Sequence, residues 1–221
     1  MSTPDSGKAV SVVDLTLRTA GVIRVDGVSA EVAPASLVAI LGANGSGKSS
    51  LLDLMAGMIA PTSGTITLGG RPLTSFSPRS LARQRAWLGQ TTPGAGDYPV
   101  HEVIAWGRGK ANDDAPPGPS LETLATELGL GDLLDAPLRR LSGGERQRTH
   151  LARIWLQDAP VTFLDEPDAS LDSRGRELLH RLIADKRARG HAIVIVTHDH
   201  EWAKATADHI WVMEHGVLTE Q

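Results

Sequence analysis

Cysteine, aromatic residues and excess positive charge are all scarce in this sequence. None of the 221 residues is a cysteine, which excludes a disulfide framework and thiolate chemistry. The 22 lysines and arginines are outnumbered by 26 aspartates and glutamates. The resulting net charge of −4 argues against a nucleic-acid-binding protein that relies on overall basicity. Aromatic residues are 4% of the chain, and the five tryptophans are scattered, which is not typical of a surface for stacking bases.

The sequence also lacks long apolar runs. No stretch reaches the roughly 18 apolar residues that a helix needs to cross a bilayer. The segment from Met1 to Lys8 is polar and has no apolar centre of the kind found in signal peptides. The absence of cysteine fits a reducing compartment. We therefore expect a protein of the cytoplasm, whose association with any membrane comes through a partner.

What the sequence does contain is a phosphate-binding pattern. Residues 42–49 read Gly-Ala-Asn-Gly-Ser-Gly-Lys-Ser, which matches G-x-x-x-x-G-K-[ST], the P-loop. An apolar run precedes it and a segment of helical spacing follows it, as a strand–loop–helix unit requires. The glycines let backbone N–H groups face an anion, and the helix dipole favours the same phosphates. The predicted nucleotide-binding residues are Gly42, Ala43, Asn44, Gly45, Ser46, Gly47, Lys48, Ser49 and Ser50. Lys48 is expected near the β- and γ-phosphates, and the hydroxyl of Ser49 suits Mg²⁺.

Two acidic residues end a second apolar strand. Val161 to Leu164 is followed by Asp165 and Glu166, and a doubly wound sheet presents such strand ends to its ligand. Asp165 is predicted to hold Mg²⁺ through water, and Glu166 to orient or deprotonate an attacking water. The alternative is a pair of solvated loop acids, which the P-loop in the same chain makes less favourable.

A third stretch predicts a further anion site. Ser142 fits the N-cap of the helix 146–156, and Gly143 and Gly144 leave N–H groups free to face an anion. The alternative is a capped helix without a ligand. Around these motifs strands and helices alternate, which predicts an α/β fold with a parallel sheet. Residues 91–157 are mainly helical and predict an insertion into that fold.

The order of these motifs resembles that of the ATP-binding cassette (ABC) ATPases over nearly the whole chain. The resemblance rests on the P-loop, Gln90, the sequence Leu-Ser-Gly-Gly-Glu at 141–145, Leu-Asp-Glu-Pro at 164–167, Ser-Leu-Asp at 170–172 and His198. It implies a P-loop NTPase core with a parallel sheet and an N-terminal antiparallel β subdomain, formed by residues 1–90 and 158–221. Residues 91–157 would be the inserted α-helical subdomain.

The same resemblance implies roles for individual residues, with ATP and Mg²⁺ as cofactors. Ser142 and Gly144 would contact the γ-phosphate bound by a second subunit, in an ATP-sandwich homodimer. Asp172 would cross the interface between the two subunits. Gln90 would meet Mg²⁺ and sense it for the helical subdomain, and His198 would hold the γ-phosphate and the attacking water.

Finer features, Leu81 to Arg83 and Val103 to Arg108, are similar to ATPases of importers for siderophores, haem or cobalamin. This similarity implies an ATP-hydrolysing subunit at the cytoplasmic face of the membrane. Its partners would be transmembrane permease subunits and, indirectly, an extracytoplasmic substrate-binding protein. Three alternatives stay open: an exporter ATPase, a soluble non-transport ABC-type ATPase, and a nucleotide-binding regulator without hydrolysis. Glu166 argues against the regulator, because degenerate sites commonly lose that carboxylate.

Three departures from the family pattern stand out. Many members carry an aromatic residue that stacks on adenine, and the corresponding place near Thr19 and Ala20 has none. Asp168-Ala169 replaces the more usual Thr-Asn or Thr-Ser, and Ser50 stands where threonine is commoner. Adenine is therefore expected to be bound more loosely or by other residues.

Overall fold

A computed structural model describes residues 7–89, 96–108 and 119–221. The strands are β1 (Val10–Thr19), β2 (Val22–Val32), β3 (Leu37–Leu41), β4 (Ser63–Leu68), β5 (Arg71–Pro72), β6 (Arg85–Leu88), β7 (Val161–Asp165), β8 (Ala192–Val196), β9 (His209–Glu214) and β10 (Val217–Glu220). The helices are α1 (Lys48–Met55), α2 (Pro78–Gln84), α3 (Val100–Ala105), α4 (Leu121–Glu127), α5 (Gly143–Gln157), α6 (Ser173–Ala188) and α7 (His200–Thr206).

The main sheet has six strands in the order β10-β9-β3-β8-β7-β6. All neighbours are parallel except β10, which returns antiparallel to β9. Strands β3, β7 and β8 are buried along their whole length, because helices or the second sheet cover both faces. Their carboxyl ends lie side by side, so the residues that follow these three strands meet at one edge of the sheet.

The second sheet has four antiparallel strands in the order β2-β1-β4-β5. In β1 the apolar residues alternate towards the interior, and the strand pairs on both sides, with Val10 opposite Val32 and Leu68. Together the two sheets confirm the predicted α/β class with a parallel core and an N-terminal antiparallel subdomain.

The two faces of β3 pack against different cores. Leu37, Ala39 and Leu41 belong to a core shared with α3 to α7, whereas Val38 and Ile40 face α1 and the antiparallel sheet. This alternation follows from the two-residue period of a strand. The P-loop therefore leaves the sheet between two packed layers, which limits its freedom to move.

Helices α3, α4 and α5 account for the described part of the predicted insertion. The C-terminal half of α5 packs into the core, and the indole Nε1 of Trp155 donates a hydrogen bond to the Leu182 carbonyl in α6, at 3.3 Å. The division into residues 91–157 and the flanking segments stays a prediction. Helix α2 begins at Pro78, directly after its cap Ser77, and strand β6 begins at Arg85, whose backbone is already extended.

Candidate nucleotide and hydrolysis site

The loop between β3 and α1 has the backbone that its glycines allow. Gly42 and Gly47 have φ angles of 139° and 111°, in a region that L side chains rarely adopt. A Cβ on Gly42 would lie 2.3 Å from the carbonyl oxygen of Met213, so this position also has no room for a side chain. The loop is thus in close backbone contact with β9, and a side chain at Gly42 would not fit there.

Lys48 is the first residue of α1, and its side chain turns back over the loop. It is only 5% exposed, and its Nζ donates hydrogen bonds to the carbonyls of Gly42 at 2.8 Å and Ala43 at 3.0 Å. The ammonium group is therefore positioned inside the curve of the loop. A bound phosphate there would meet both this charge and the start of α1.

A cavity of about 270 Å³ opens beside this loop. Most of its lining comes from the predicted phosphate-binding residues: Asn44, Gly45, Gly47, Lys48, Ser49 and Ser50. Two residues from elsewhere in the chain complete the lining, Arg24 from β2 and Glu166 from the end of β7. The fold thus brings the P-loop and the predicted hydrolytic carboxylate to one cavity.

Asp165 lies next to Ser49, whose hydroxyl donates a hydrogen bond to Oδ1 at 3.1 Å. Burial raises the pKa of Asp165 to about 6; the negative charges of Glu166 and Asp53 act in the same direction, while the Ser49 hydrogen bond and Lys48 oppose it. Burial also raises the pKa of Asp53, whose Oδ1 accepts a hydrogen bond from the indole of Trp87 at 3.1 Å. The Ser49 hydroxyl beside the Asp165 carboxylate offers oxygen ligands of the kind that a hard divalent cation such as Mg²⁺ prefers.

Glu166 has a left-handed backbone, with φ at 46°, which is uncommon for a residue other than glycine. Its N–H donates to the Val196 carbonyl of β8 at 3.0 Å. Its Oε1 lies 3.1 Å from Nε2 of His198, which follows β8. This strained conformation, which costs on the order of 1–3 kcal/mol, turns the carboxylate towards the cavity.

The residues at the start of α5 lie outside this cavity. Ser142 caps the helix and forms a capping box with Glu145, whose carboxylate accepts hydrogen bonds from the backbone N–H and the hydroxyl of Ser142, both at 2.8 Å. Ser142 and Gly143 are exposed. Within the described part of the chain, neither these residues nor Gly144 line the cavity beside the P-loop.

The start of α5 does contact the loop that follows Glu166. The side-chain amide of Gln147 donates to the Pro167 carbonyl at 2.9 Å, and a Cβ on Gly144 would lie 3.0 Å from the Ser170 carbonyl. Asp172 is exposed and caps α6 by accepting from the Gly175 N–H at 2.7 Å.

Sequence reasoning missed two residues at or beside the site, Asp168 and Arg24, and one predicted residue, Gln90, cannot be placed. Gln90 lies outside the described residues. The carboxylate of Asp168, noted only as a departure, accepts a hydrogen bond from the Thr197 hydroxyl at 2.9 Å and so ties the β7 loop to the β8 loop. Arg24 was not expected at the cavity, because no motif marks it and only the packing of β2 on the P-loop brings it there. Among residues 7–89, 96–108 and 119–221, no helix has the length and apolar character that crossing a bilayer requires.

Comparison with known proteins identifies the family. Residues 25–169, well over half of the chain, match the model of the family described as ABC transporter. The hemin import ATP-binding protein HmuV of Nocardia farcinica is 39% identical over 194 residues, covering 86% of this chain and 67% of the relative. The protein of the same name from Rhodopseudomonas palustris strain HaA2 is 39% identical over 210 residues, covering 90% and 79%.

Solved structures agree at the level of the fold. The structure of an ATP-binding subunit of an ABC transporter superposes with a TM-score of 0.87 at 23% identity, covering 96% of this chain and 89% of that one. The chain therefore belongs to the ABC transporter family, as a subunit that binds and hydrolyses ATP.

Proposed function

We propose that this chain is the ATPase subunit of a membrane importer for metal chelates, with haem as the first candidate substrate. The observation that carries the mechanism is that Ser49, which is hydrogen-bonded to Asp165, and Glu166 both line the cavity beside the P-loop. The substrate class is supported by the relatives named hemin import proteins. It agrees with the metal-chelate features of the sequence.

ATP would bind with its phosphates in the P-loop, from Gly42 to Ser50. Lys48 would exchange its two loop carbonyls for phosphate oxygens, and the N–H groups at the start of α1 would complete the cradle. Ser49 would hold Mg²⁺ directly and Asp165 through water, with Gln90 as a further contact. When bound, the metal ion neutralises charge on the β- and γ-phosphates.

Hydrolysis would be carried by Glu166 and His198. Glu166 accepts a proton from the attacking water, whose oxygen forms a bond to the γ-phosphorus while the bond to the β-phosphate oxygen breaks. ADP and inorganic phosphate are the products. His198, 3.1 Å from the carboxylate, would hold the γ-phosphate and the water in line. Because phosphoryl transfer needs positioning more than covalent chemistry, the part of these two side chains is to orient the water and accept its proton.

A second copy of the chain would complete each site. The start of α5 is accessible: Ser142 and Gly143 are exposed, and Gly144 is half-buried. In the described part of the chain, none of the three lines the cavity of its own subunit. In a head-to-tail dimer they would close on the γ-phosphate held by the partner subunit. Asp172 is exposed and lies two residues after Ser170, whose carbonyl is close to Gly144, which supports a place for Asp172 at the interface.

The helical subdomain, residues 91–157, would pass this closure to permease subunits that hold the ATPase at the cytoplasmic face of the membrane. The contacts of α5 with Pro167 and Ser170 support such coupling, because they join the start of α5 to the loop after Glu166. An extracytoplasmic substrate-binding protein would deliver the chelate to the permease.

A growth experiment tests the substrate class. A strain that lacks this gene should fail to grow on haem as the only iron source and should grow normally on a ferrous salt. The wild-type gene should restore growth on haem, and a gene encoding Lys48→Ala should not. Unchanged growth on haem, together with unchanged uptake of siderophores and cobalamin, would refute the importer.

A further inference from the structure

We propose that Arg24 is a nucleotide-binding residue, whose guanidinium group contacts the phosphates nearest the ribose. This inference rests on the proposed nucleotide site and extends it, because none of the family motifs in this chain includes Arg24. If so, the nucleotide is held by the charge of Arg24 as well as by the P-loop.

The backbone fixes Arg24 beside the P-loop. A Cβ on Gly47 would lie 2.3 Å from the Arg24 carbonyl oxygen, so β2 and the loop are in direct contact. Two backbone hydrogen bonds reinforce the junction: the Asp26 N–H donates to the Gly216 carbonyl at 2.8 Å, and the Gly216 N–H donates to the Ser46 carbonyl at 2.9 Å. The side chain of Arg24 consequently starts from a well-defined point at the rim of the cavity.

The charge of Arg24 is uncompensated in the described part of the chain. Its side chain is exposed, lines the cavity, and has neither a hydrogen bond nor an ion pair with any described residue. The second cation of the cavity, Lys48, differs because its ammonium group donates hydrogen bonds to two loop carbonyls. Glu166 is the one acidic residue among the lining residues described. An anion entering the cavity would therefore meet two positive charges.

The chemistry of the guanidinium group favours phosphate as its partner. Arginine presents a planar set of donors that matches phosphate oxygens in pairs, and such charge-assisted bonds are stronger than neutral ones. Lys48, Ser49 and Asp165 already lie together at the start of α1 and the end of β7, where the terminal phosphates are expected. Arg24 reaches the same cavity from β2, a different element, so we assign it the phosphates that the start of α1 and the end of β7 leave free, those nearest the ribose.

No aromatic side chain is among the described residues that line the cavity. These residues therefore cannot stack on the base. The attraction between Arg24 and the phosphates would supply part of the binding energy that stacking would otherwise give. Binding should depend on salt, because an exposed charge is screened by ions. Binding should also differ little between ATP and GTP, since their phosphates are identical.

The test compares Arg24→Met, Arg24→Lys and a matched control, Arg79→Met, in which an exposed arginine of α2 loses its charge. Titration calorimetry of the full chain measures the Kd for Mg-ATP and for Mg-GTP at low and at physiological salt. We expect Arg24→Met to raise both Kd values by about tenfold, as loss of one charged hydrogen bond implies. The difference from wild type should shrink at higher salt. Arg24→Lys keeps the charge but not the paired donors of the guanidinium group, so its Kd should lie between those of wild type and Arg24→Met. Arg79→Met should match wild type.

Each other result has a defined meaning. A Kd within about twofold of wild type for both nucleotides, in a folded Arg24→Met protein, refutes the contact. A loss for ATP without a loss for GTP shows a contact to the base and refutes the contact to phosphate. Absence of nucleotide binding by the wild-type chain itself would instead refute the proposed nucleotide site, so the two failures are distinguishable. Equal melting temperatures of the variants establish that the fold is intact.

Discussion

The imidazole Nε2 of His198 lies 3.1 Å from Oε1 of Glu166, although 32 residues separate them in the chain. They meet because β7 and β8 are adjacent and parallel, and each side chain comes shortly after the carboxyl end of its strand. The left-handed backbone of Glu166 keeps its carboxylate at the cavity rather than in the sheet. The proposed base and the proposed orienting group thus share one edge of the sheet.

Replacing Glu166 by glutamine should stop hydrolysis without preventing binding. The amide keeps the size of the side chain but cannot accept the proton of the attacking water, and a positioned base contributes roughly 10²–10⁴-fold in rate. The variant should bind Mg-ATP and accumulate as an ATP-bound dimer, because closure precedes cleavage. Size-exclusion chromatography with and without ATP, together with a phosphate-release assay, measures both effects.

Glu177→Gln, an exposed position in α6, serves as the control and should keep the wild-type rate. A Glu166→Gln protein that turns over at the parent rate, or that stays monomeric with saturating ATP, would overturn the mechanism.

Replacing Lys48 by alanine should remove most nucleotide binding and leave the fold intact. The substitution deletes the buried ammonium group at the centre of the loop, whereas the loop backbone is set by Gly42 and Gly47. Calorimetric titration with Mg-ATP measures the loss, and circular dichroism checks the fold. Lys204→Ala, at an exposed lysine of α7, is the control. An unchanged affinity of the Lys48 variant would mean that the loop does not hold the phosphates.

Replacing Ser142 by arginine should abolish turnover while ATP binding by each subunit remains. The bulky side chain would occupy the start of α5, where the partner's γ-phosphate is expected. Loss of the cap should also lower the free energy of unfolding by about 1 kcal/mol. Ser120→Arg provides a control, because the Ser120 side chain also caps a helix, α4, and is not part of the proposed interface. Steady-state ATPase rates at several protein concentrations are the measurement, and full hydrolysis by a strictly monomeric species would contradict the model.

Lys186 predicts a pH dependence of stability. It is fully buried in α6, with its Nζ 3.6 Å from Oδ1 of Asp158 and 5.6 Å from the centre of the Trp155 ring. Burial lowers its pKa from 10.5 to about 8; Asp158 opposes this shift and Arg189 adds to it. His191, at the same carboxylate, also has a lowered pKa, chiefly because of burial.

Because the folded protein resists protonation of Lys186, the free energy of unfolding should rise as the pH increases from about 8 to 10.5. The rise should be on the order of 1–3 kcal/mol. Lys186→Met should lack this rise and be at least as stable as wild type at neutral pH, since Arg189 still pairs with Asp158. Urea unfolding across this pH range measures it. Lys204→Met, the exposed control, should keep the rise; a Lys186→Met protein that also keeps it would refute the assignment.

Local sequence was enough to predict the features that depend on neighbouring residues. The P-loop lies between an apolar strand and a helix, and Ser142 caps α5. Strand β7 ends at Asp165, and Glu166 follows it, as the sequence indicated. The backbone angles of the loop require its glycines. An N-cap side chain accepts a hydrogen bond from an N–H two or three residues later, so local sequence predicts it. The α/β class followed from the alternation of apolar strands and helices.

Contacts between distant segments were decided by the tertiary structure. Arg24 reaches the cavity because β2 packs on Gly47. Asp168 accepts a hydrogen bond from Thr197 because β7 and β8 are neighbours in the sheet. The burial that shifts the pKa of Asp165 and Lys186 likewise arises from layers that meet only in the folded chain. Periodicity and spacing specify the local backbone. Which faces and strand ends meet depends on the order and register of the strands in the sheet. That order and register are the ones that leave little apolar area exposed over the whole molecule.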